Sequence, residues 1–282
     1  MGRLRSIRLK ESDPNKDVMQ VPTEEFLDRS DGTLGAGPFR ARMDEDGFQM
    51  TGNPIDPAAT PLVFLGDSFV EANFVDEDAR FSSVVERALP HYRILNGGYS
   101  GSTTLQLLNV LVNKVYPIVG LGGKVLFFVG QSDVDHLSKT ANYWTSHFRG
   151  TPIVPGKEPS GTLPQGTDAT ERLLRMVVHA AQSLDLDLVL AVSPFREGDF
   201  NTDELLRHLY RRDRVFFQEQ RERRLGVVES VVKVAAATGT RVIDFHSLVG
   251  GDPTWFYDEL HLNQYGHGKF ATLLAGEIGK HF

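Results

Sequence analysis

The sequence contains no cysteine. Disulfide bonds, thiolate metal sites and a cysteine nucleophile are therefore excluded, although this absence does not settle the compartment. The chain also has no apolar run long enough to span a bilayer, and the basic residues near its start are not followed by the apolar core of a signal peptide. We therefore expect a soluble, cytoplasmic protein. A chain trimmed of an export signal would look the same.

An excess of positive charge is absent as well. The net charge is -7, which argues against a dedicated nucleic-acid binder, because such proteins are normally basic. With 282 residues, of which 40% are hydrophobic, the chain is long enough for one large α/β domain, alone or with appendages. The oligomeric state cannot be read from these numbers.

Residues 1–60 are polar and rich in turn-forming residues. Phe39–Met43 and Gly47–Met50 are expected to form a hairpin, because Asp44–Gly47 between them ends in an Asp-Gly turn signal. We interpret this segment as an N-terminal extension packed on the main domain, which would comprise residues 61–282.

From Leu62 onwards, strand and helix patterns alternate. The predicted strands are Leu62–Leu65, Tyr92–Leu95, Lys124–Val129, Asp187–Val192 and Arg241–Phe245. The predicted helices are Glu77–Leu89, Thr103–Val115, Asp168–Leu184, Asp203–Ala237 with a break near Gly226, and Asn263–Lys280. Such alternation implies right-handed crossovers and a parallel sheet covered on both faces. The prediction is an α/β fold with three α/β/α layers and a five-stranded parallel sheet.

One insertion, residues 141–166, interrupts this alternation. It combines several prolines and glycines with an aromatic group that includes Tyr143, Trp144 and Phe148. Long insertions of this kind often form a lid or a substrate wall. A surface loop with one packed aromatic cluster explains the pattern equally well, so both interpretations stay open.

The stretch from Pro61 to Phe69 organises the rest of the chain. A short apolar strand ends at Gly66, and Asp67 and Ser68 follow before any helical pattern begins. A serine at such a turn lies at the carboxyl end of a sheet strand, where open α/β sheets place their ligands. Ser68 is therefore a candidate nucleophile. The alternative is that Asp67 and Ser68 merely cap a helix.

Asp258 and His261 lie three positions apart, just ahead of the last predicted helix. Acyl transfer by a serine needs an imidazole to take the hydroxyl proton and a carboxylate to orient that imidazole. Ser68, His261 and Asp258 supply these three parts. The alternative makes Asp258 a turn residue and His261 a loop histidine with satisfied hydrogen bonds.

Two further polar turns follow the second and third predicted strands, at Asn96–Thr103 and Gly130–Asp133. Backbone N–H groups of a glycine-rich turn that leads into a helix form a natural oxyanion site. A mononucleotide phosphate loop is the competing use, but the Gly-Lys-Ser/Thr signature is missing. No metal site is expected, because the acidic residues from Asp133 onwards lie at a predicted helix start, where they favour the helix dipole.

These motifs resemble, in order, the four blocks of the SGNH, or GDSL-type, hydrolase family: Gly66–Ser68, Asn96–Gly101, Gly130–Asp133 and Asp258–His261. The resemblance covers residues 60–280. It implies a flavodoxin-like three-layer domain that hydrolyses esters or thioesters without a cofactor. It also implies the roles of the side chains: Ser68 as nucleophile, His261 as base and Asp258 as its orienting carboxylate.

The same resemblance implies that the backbone N–H groups of Ser68 and Gly101 bind the oxyanion. One position departs from the pattern, because Ser132 stands where the family has an asparagine amide as a third donor. A hydroxyl is shorter than that amide, so either Ser132 approaches more closely or Gln131 reaches in instead. Losing one such donor typically costs roughly 10²–10³-fold in rate.

We therefore predict a serine esterase that removes a small, acetyl-like acyl group from a carbohydrate or metabolite. The segment Asp46–Phe48 also loosely resembles bacterial family members thought to act on acylated glycans. Tyr143, Trp144, Phe148 and Gln131 are predicted to contact the substrate. The departure at Ser132 supports the alternative of a weakly active or non-catalytic binding module, and acyl transfer to an acceptor other than water is a third hypothesis.

Overall fold

Five parallel strands form the central sheet of the computed structural model, which describes residues 9–145 and 160–282. The strands in chain order are β1 (Asp17–Gln20), β2 (Phe39–Arg42), β3 (Thr60–Gly66), β4 (Tyr92–Gly98), β5 (Lys124–Val129), β6 (Asp187–Val192) and β7 (Arg241–Asp244). The main sheet has the order β4-β3-β5-β6-β7, and β1 and β2 form a separate antiparallel pair. The predicted five-stranded parallel sheet is confirmed.

Helices cover both faces of this sheet. They are α1 (Glu24–Asp28), α2 (Ser68–Glu71), α3 (Phe81–Ala88), α4 (Thr104–Val110), α5 (Tyr116–Val119), α6 (Ser132–Thr140), α7 (Gly166–Ser183), α8 (Glu204–Leu209), α9 (Arg214–Thr238), α10 (Phe245–Val249) and α11 (Gln264–His281). A π-helical turn, Leu111–Val115, joins α4 to α5, and a 3₁₀ turn, Pro253–Trp255, follows α10. Within the described ranges, no helix combines the length and apolar character that crossing a membrane requires.

The apolar strands divide their side chains between two cores. Alternate residues of a strand point to opposite faces. Val125 and Phe127 of β5 therefore pack against α4, α7 and α9, whereas Leu126 and Phe128 pack against α2, α3, α10 and α11. Burial on both faces explains why β5 and β6 read as continuous apolar runs. The result is the predicted three-layer α/β/α arrangement.

The long predicted helix 203–237 breaks at a different place from the one expected. α8 and α9 are separated at residues 210–213, where the Asp213 side chain caps α9 by accepting from the Phe216 N–H at 2.9 Å. Gly226 lies inside α9. A Cβ built there would come within 3.3 Å of Thr167, so this glycine allows α9 to approach α7 closely and does not interrupt it.

The N-terminal residues lie against the β4 edge of the sheet. Gln49 forms an antiparallel bridge with Asn96, donating its N–H to the Asn96 carbonyl at 2.8 Å. The turn at Asp44–Gly47 brings Met43 and Gln49 together in a second bridge, as the hairpin prediction requires. β2 also pairs with β1, a strand that sequence reasoning did not identify.

Candidate active site

Ser68 lies where β3 ends and α2 begins. Asp67 is the N-cap of α2, and its Oδ1 accepts from the Phe69 N–H at 3.1 Å. β3 lies between β4 and β5, so Ser68 is at the carboxyl end of an inner strand. Gly98 of the neighbouring strand makes room for this turn, because a Cβ there would overlap the backbone of Val70 and Glu71.

Ser68, His261 and Asp258 form one hydrogen-bonded chain. His261 Nε2 is 2.8 Å from Ser68 Oγ, and His261 Nδ1 is 2.7 Å from Asp258 Oδ2. The two ring nitrogens thus face opposite partners. An N–H on Nδ1 donates to the carboxylate, which leaves Nε2 as the acceptor for the serine hydroxyl proton. The structure brings together all three residues that the sequence singled out.

The loop ahead of α11 holds Asp258 and His261 in this arrangement. Asp258 Oδ1 accepts from the backbone N–H groups of Leu260 and His261, each at 2.7 Å. The Tyr257 N–H donates to the His261 carbonyl at 3.0 Å, closing the loop. Asn263 then caps α11 by accepting from the Gly266 N–H at 2.8 Å. Backbone donors therefore hold one oxygen of the Asp258 carboxylate, and its other oxygen contacts the imidazole of His261.

Burial and charge shift the pKa values of His261 and Asp258 in opposite directions. Burial lowers the pKa of His261, but the charge and hydrogen bond of Asp258, with smaller contributions from Asp67 and Glu71, outweigh it, and the pKa is raised above its usual 6.5. Burial likewise raises the pKa of Asp258, but His261 and the two backbone donors outweigh it, and the pKa is lowered. The arrangement therefore stabilises an imidazolium beside a carboxylate, the charge state that a general base passes through.

A set of buried ion pairs supports the same loop, and sequence reasoning missed it. Glu259, adjacent to Asp258, accepts from Arg224 Nη1 at 2.9 Å and from the Tyr210 hydroxyl at 2.8 Å. Arg196 pairs with Asp203 at 2.8 Å and with Asp31 at 3.0 Å.

Arg196 also reaches the 253–257 stretch of the loop directly. Its Nη1 donates to the carbonyls of Pro253 and Phe256, each at 3.2 Å. The Asp31 N–H donates to the Tyr257 carbonyl at 2.7 Å, and the Tyr257 ring stacks on His261 with centroids 5.6 Å apart. Only the tertiary fold brings residues 31, 196 and 257 together, so spacing in the sequence carried no signal for them.

The glycine-rich turn after β4 lies beside α2. Glu71, buried in α2, accepts from the N–H of Ser100 at 2.7 Å and from its hydroxyl, and burial raises the pKa of Glu71. Gly101 follows with a left-handed φ of +71°, and Lys10 Nζ donates to its carbonyl. A carboxylate within the otherwise apolar run Phe69–Ala72 was the available signal for Glu71.

Ser132 is placed differently from the oxyanion expectation. Its N–H and its hydroxyl both donate to Asp67 Oδ2, at 3.1 and 2.8 Å. The hydroxyl proton is therefore engaged with the carboxylate of Asp67, next to Ser68. Gln131 is 5% exposed, and its Oε1 finds no hydrogen-bond partner in the described part of the chain.

Tyr143 also lies elsewhere than expected. It is 3% exposed and packs with Ala169 and Leu173, and its hydroxyl is 2.9 Å from that of Thr170. A side chain so enclosed cannot contact a substrate without movement. Trp144 is half-buried against the same cluster. Phe148 falls outside the described residues.

A pocket of about 640 Å³ lies near the His261 loop and not at the hydroxyl of Ser68. It is lined by Asp31, Arg196, Asp203, Pro253 and neighbouring residues. Over residues 9–145 and 160–282, no cluster of His, Asp and Glu side chains is arranged to hold a metal ion.

No protein-family model matches the sequence, and no curated protein matches it either. Solved structures do match the fold. An acetylxylan esterase from Geobacillus stearothermophilus, solved as a catalytic mutant, is 18% identical with a TM-score of 0.53, covering 79% of this chain and 96% of its own. A member of the lipolytic G-D-S-L family from Veillonella parvula is 16% identical with a TM-score of 0.52, covering 79% and 100%.

A lipase/acylhydrolase from Enterococcus faecalis is 19% identical, with a TM-score of 0.50 and coverage of 78% and 95%. At these identities the likeness shows the fold. The chain thus has the three-layer α/β/α fold of SGNH hydrolases, which confirms the fold that its motifs predicted.

Proposed function

We propose that this chain is a serine-dependent ester hydrolase that removes a small, acetyl-like acyl group from a carbohydrate or metabolite through an acyl-enzyme. The observation that carries the proposal is the continuous hydrogen-bonded chain from Ser68 Oγ through His261 to Asp258, with distances of 2.8 and 2.7 Å. The fold neighbours that are described as acetylxylan esterase and acylhydrolase support an acylated substrate.

In the first half of the reaction, Ser68 Oγ attacks the ester carbonyl while its proton moves to His261 Nε2. Asp258 stabilises the resulting imidazolium, and the backbone N–H groups of Ser68 and Gly101 donate to the oxyanion. Collapse of the tetrahedral intermediate breaks the bond to the alcohol, which takes the proton from His261. In the second half, water attacks the acyl-Ser68 ester while His261 Nε2 takes a proton from the water. The bond between the acyl carbon and Ser68 Oγ then breaks, His261 returns the proton to Ser68 Oγ, and the free acid leaves.

The test compares wild type with Ser68→Ala on p-nitrophenyl esters of increasing acyl length and on an acetylated oligosaccharide. We expect Ser68-dependent acetate release that declines as the acyl chain lengthens. A fluorophosphonate should label wild type, and mass spectrometry should map the adduct to Ser68. Equal rates for wild type and Ser68→Ala, with no adduct, would favour a binding module instead.

Acyl transfer is separated from hydrolysis by the same assay. Adding a sugar alcohol as acceptor should leave acetate as the main product if water is the natural acceptor. Transfer of the acetyl group to the added alcohol in preference to water would reassign the reaction without changing the nucleophile.

A further inference from the structure

The residues Tyr99–Ser102 form a type II turn directly after β4. The Ser102 N–H donates to the Tyr99 carbonyl at 3.1 Å, which closes the turn. Gly101, the third residue of the turn, has a φ of +71°, whereas the second residue, Ser100, does not have a positive φ. This combination is that of a type II turn, in which the third position favours glycine.

This turn lies beside the nucleophile. The Tyr99 N–H donates to the carbonyl of Gly66 at 3.1 Å, and Gly66 precedes Ser68 by two positions. In the described part of the chain, the N–H of Gly101 donates to no acceptor. A free backbone N–H beside a serine nucleophile can bind an oxyanion, provided that its position is fixed to within about 0.5 Å.

Two charged side chains hold the two central residues of the turn. Glu71, which is buried at the end of α2, accepts from the Ser100 N–H at 2.7 Å and from the Ser100 hydroxyl. Lys10 Nζ donates to the Gly101 carbonyl at 2.5 Å. Glu71 thus ties the turn to the helix that begins at Ser68, and Lys10 ties it to the N-terminal residues.

The backbone that carries Lys10 is itself fixed to the domain. The neighbouring Glu11 pairs with the buried Lys114 at 3.0 Å. Ser12 is buried, and a Cβ on Gly47 would overlap its carbonyl. The motifs shared with SGNH hydrolases lie within residues 60–280, so the contact between Lys10 and the turn is contributed by the N-terminal extension of this chain.

We propose that Lys10 is a positioning residue, which holds the Gly101 carbonyl so that the Gly101 N–H is fixed where the oxyanion forms at Ser68. The proposal rests on the proposed esterase function. Lys10 acts through Gly101, and Glu71 is its counterpart on the preceding residue of the turn. The N-terminal extension then contributes to catalysis as well as covering the edge of the sheet.

The test is Lys10→Met, which keeps the aliphatic chain and removes the donor. We expect kcat for p-nitrophenyl acetate to fall by roughly 10- to 100-fold, because a displacement of about 1 Å in a catalytic group can cost that much. KM should stay nearly constant, since the oxyanion exists only after attack. A merely structural role for Lys10 predicts the reverse, with a lower thermal midpoint and an unchanged kcat.

Lys10→Arg tests whether a cationic donor at this position restores the rate. Its guanidinium can donate to the Gly101 carbonyl, so its kcat should exceed that of Lys10→Met. Lys10→Ala is the second donor-free variant, for use if Lys10→Met does not fold, and the same fall in kcat is expected.

Lys16→Met is the matched control in the same segment. The Lys16 side chain is exposed and its charge acts on Glu71, while its backbone carbonyl, which accepts from the Met43 N–H at 2.8 Å, is retained. The variant therefore removes an equal charge without removing a bond to the turn. Its kcat should match that of wild type.

Wild-type kcat in the donor-free variants overturns the inference, and so does a rise in KM at constant kcat, which would indicate contact with the substrate. Equal losses in Lys10→Met and Lys16→Met, or a Lys10→Arg enzyme as slow as Lys10→Met, overturn it as well. A slower kcat with complete but slower fluorophosphonate labelling of Ser68 supports it.

The same measurements separate this inference from the proposed function. Absence of Ser68-dependent hydrolysis in wild type would overturn both together. Wild-type hydrolysis that depends on Ser68, and that is unchanged in Lys10→Met, would overturn this inference alone.

Discussion

Replacing Asp258 with asparagine should move the pH dependence of activity to lower pH. The carboxylate lies 2.7 Å from His261 Nδ1, and at an effective dielectric constant of about 20 a unit charge pair at that distance interacts by about 6 kcal/mol. If only half of this is lost, about 3 kcal/mol, the pKa of His261 falls by about two units. Burial, which lowers the pKa of His261, is then no longer outweighed.

The midpoint of kcat/KM against pH reports the base in the free enzyme. In wild type it should lie above 6.5, because the pKa of His261 is raised. In Asp258→Asn it should lie below 6.5. The plateau rate should also fall, by up to about 10⁴-fold, because an amide can hold the wrong imidazole tautomer. The profiles are measured with p-nitrophenyl acetate between pH 4 and 9.

Asp252→Asn is the control on the same loop, because the hydrogen bonds of the Asp252 side chain go to Thr254 and not to His261. Its profile should match wild type. An unshifted midpoint in Asp258→Asn, with a plateau rate like that of wild type, would refute the assignment of the base and its partner.

The pKa shifts of His261 and Asp258 also predict how the stability of the fold depends on pH. A raised pKa for His261 contributes stability that is present below about 6.5 and is lost as the pH rises through the folded-state value. A lowered pKa for Asp258 contributes stability that is present above about 3.8 and is lost as the pH falls through the folded-state value. Wild type should therefore exceed Asp258→Asn in stability most clearly between those two values.

Two further substitutions test the supports of the site. The Cβ of Gly98→Ala would overlap the backbone at Glu71, so this variant should lower the free energy of unfolding, measured by urea titration, by several kcal/mol. Gly276 lies in open space on α11, so Gly276→Ala should raise the free energy of unfolding by about 0.5–1 kcal/mol. Equal values for the two variants would contradict the packing. Arg224→Met leaves the buried Glu259 carboxylate without its cation and should cost about 3–5 kcal/mol, and a loss below 1 kcal/mol would show that the pair is dispensable.

The strands were predictable because each is bounded by a change in composition. Lys124–Val129 and Asp187–Val192 match their predicted limits, since apolar runs buried on both faces end where polar residues begin. β4 continues to Gly98, beyond the predicted Leu95, because parallel pairing with β3 holds Asn96–Gly98 in the sheet despite their turn-like composition.

Helix limits were less predictable, because capping and tertiary contacts decide them. α3 begins at Phe81 and not at Glu77, since the Asp76 carbonyl accepts turn bonds from Ala79 and Arg80. Arg80 is fully buried and donates to the carbonyls of Ala72 and Arg40. From the sequence alone, a charged residue in that position indicates an exposed helix surface. Arg80 is buried because N-terminal residues that are distant in the chain pack over it.

The residues of the candidate site also differ in how well the sequence could predict them. Ser68, Asp258 and His261 were found because catalytic residue types recur at strand ends and at a fixed spacing, and the structure brings them within hydrogen-bond distance. Their catalytic roles stay a prediction until they are tested. Arg196 depends on partners distant in the chain, such as Asp31 and Phe256, so no local pattern indicated it. The aromatic insertion was ambiguous, because Tyr143 fills the core as readily as it would line a pocket.

The separation between Ser68 and His261 has a consequence for how the protein is made. The two residues in contact are 193 positions apart, and a ribosome adding about 5–20 residues per second needs roughly 10–40 s to synthesise the stretch between them. During that interval the turn that carries Ser68 can fold with β3 and β4, but His261 has not yet been synthesised. If the proposed roles hold, Ser68 of a nascent chain is inert, and esterase activity requires a chain translated at least to His261.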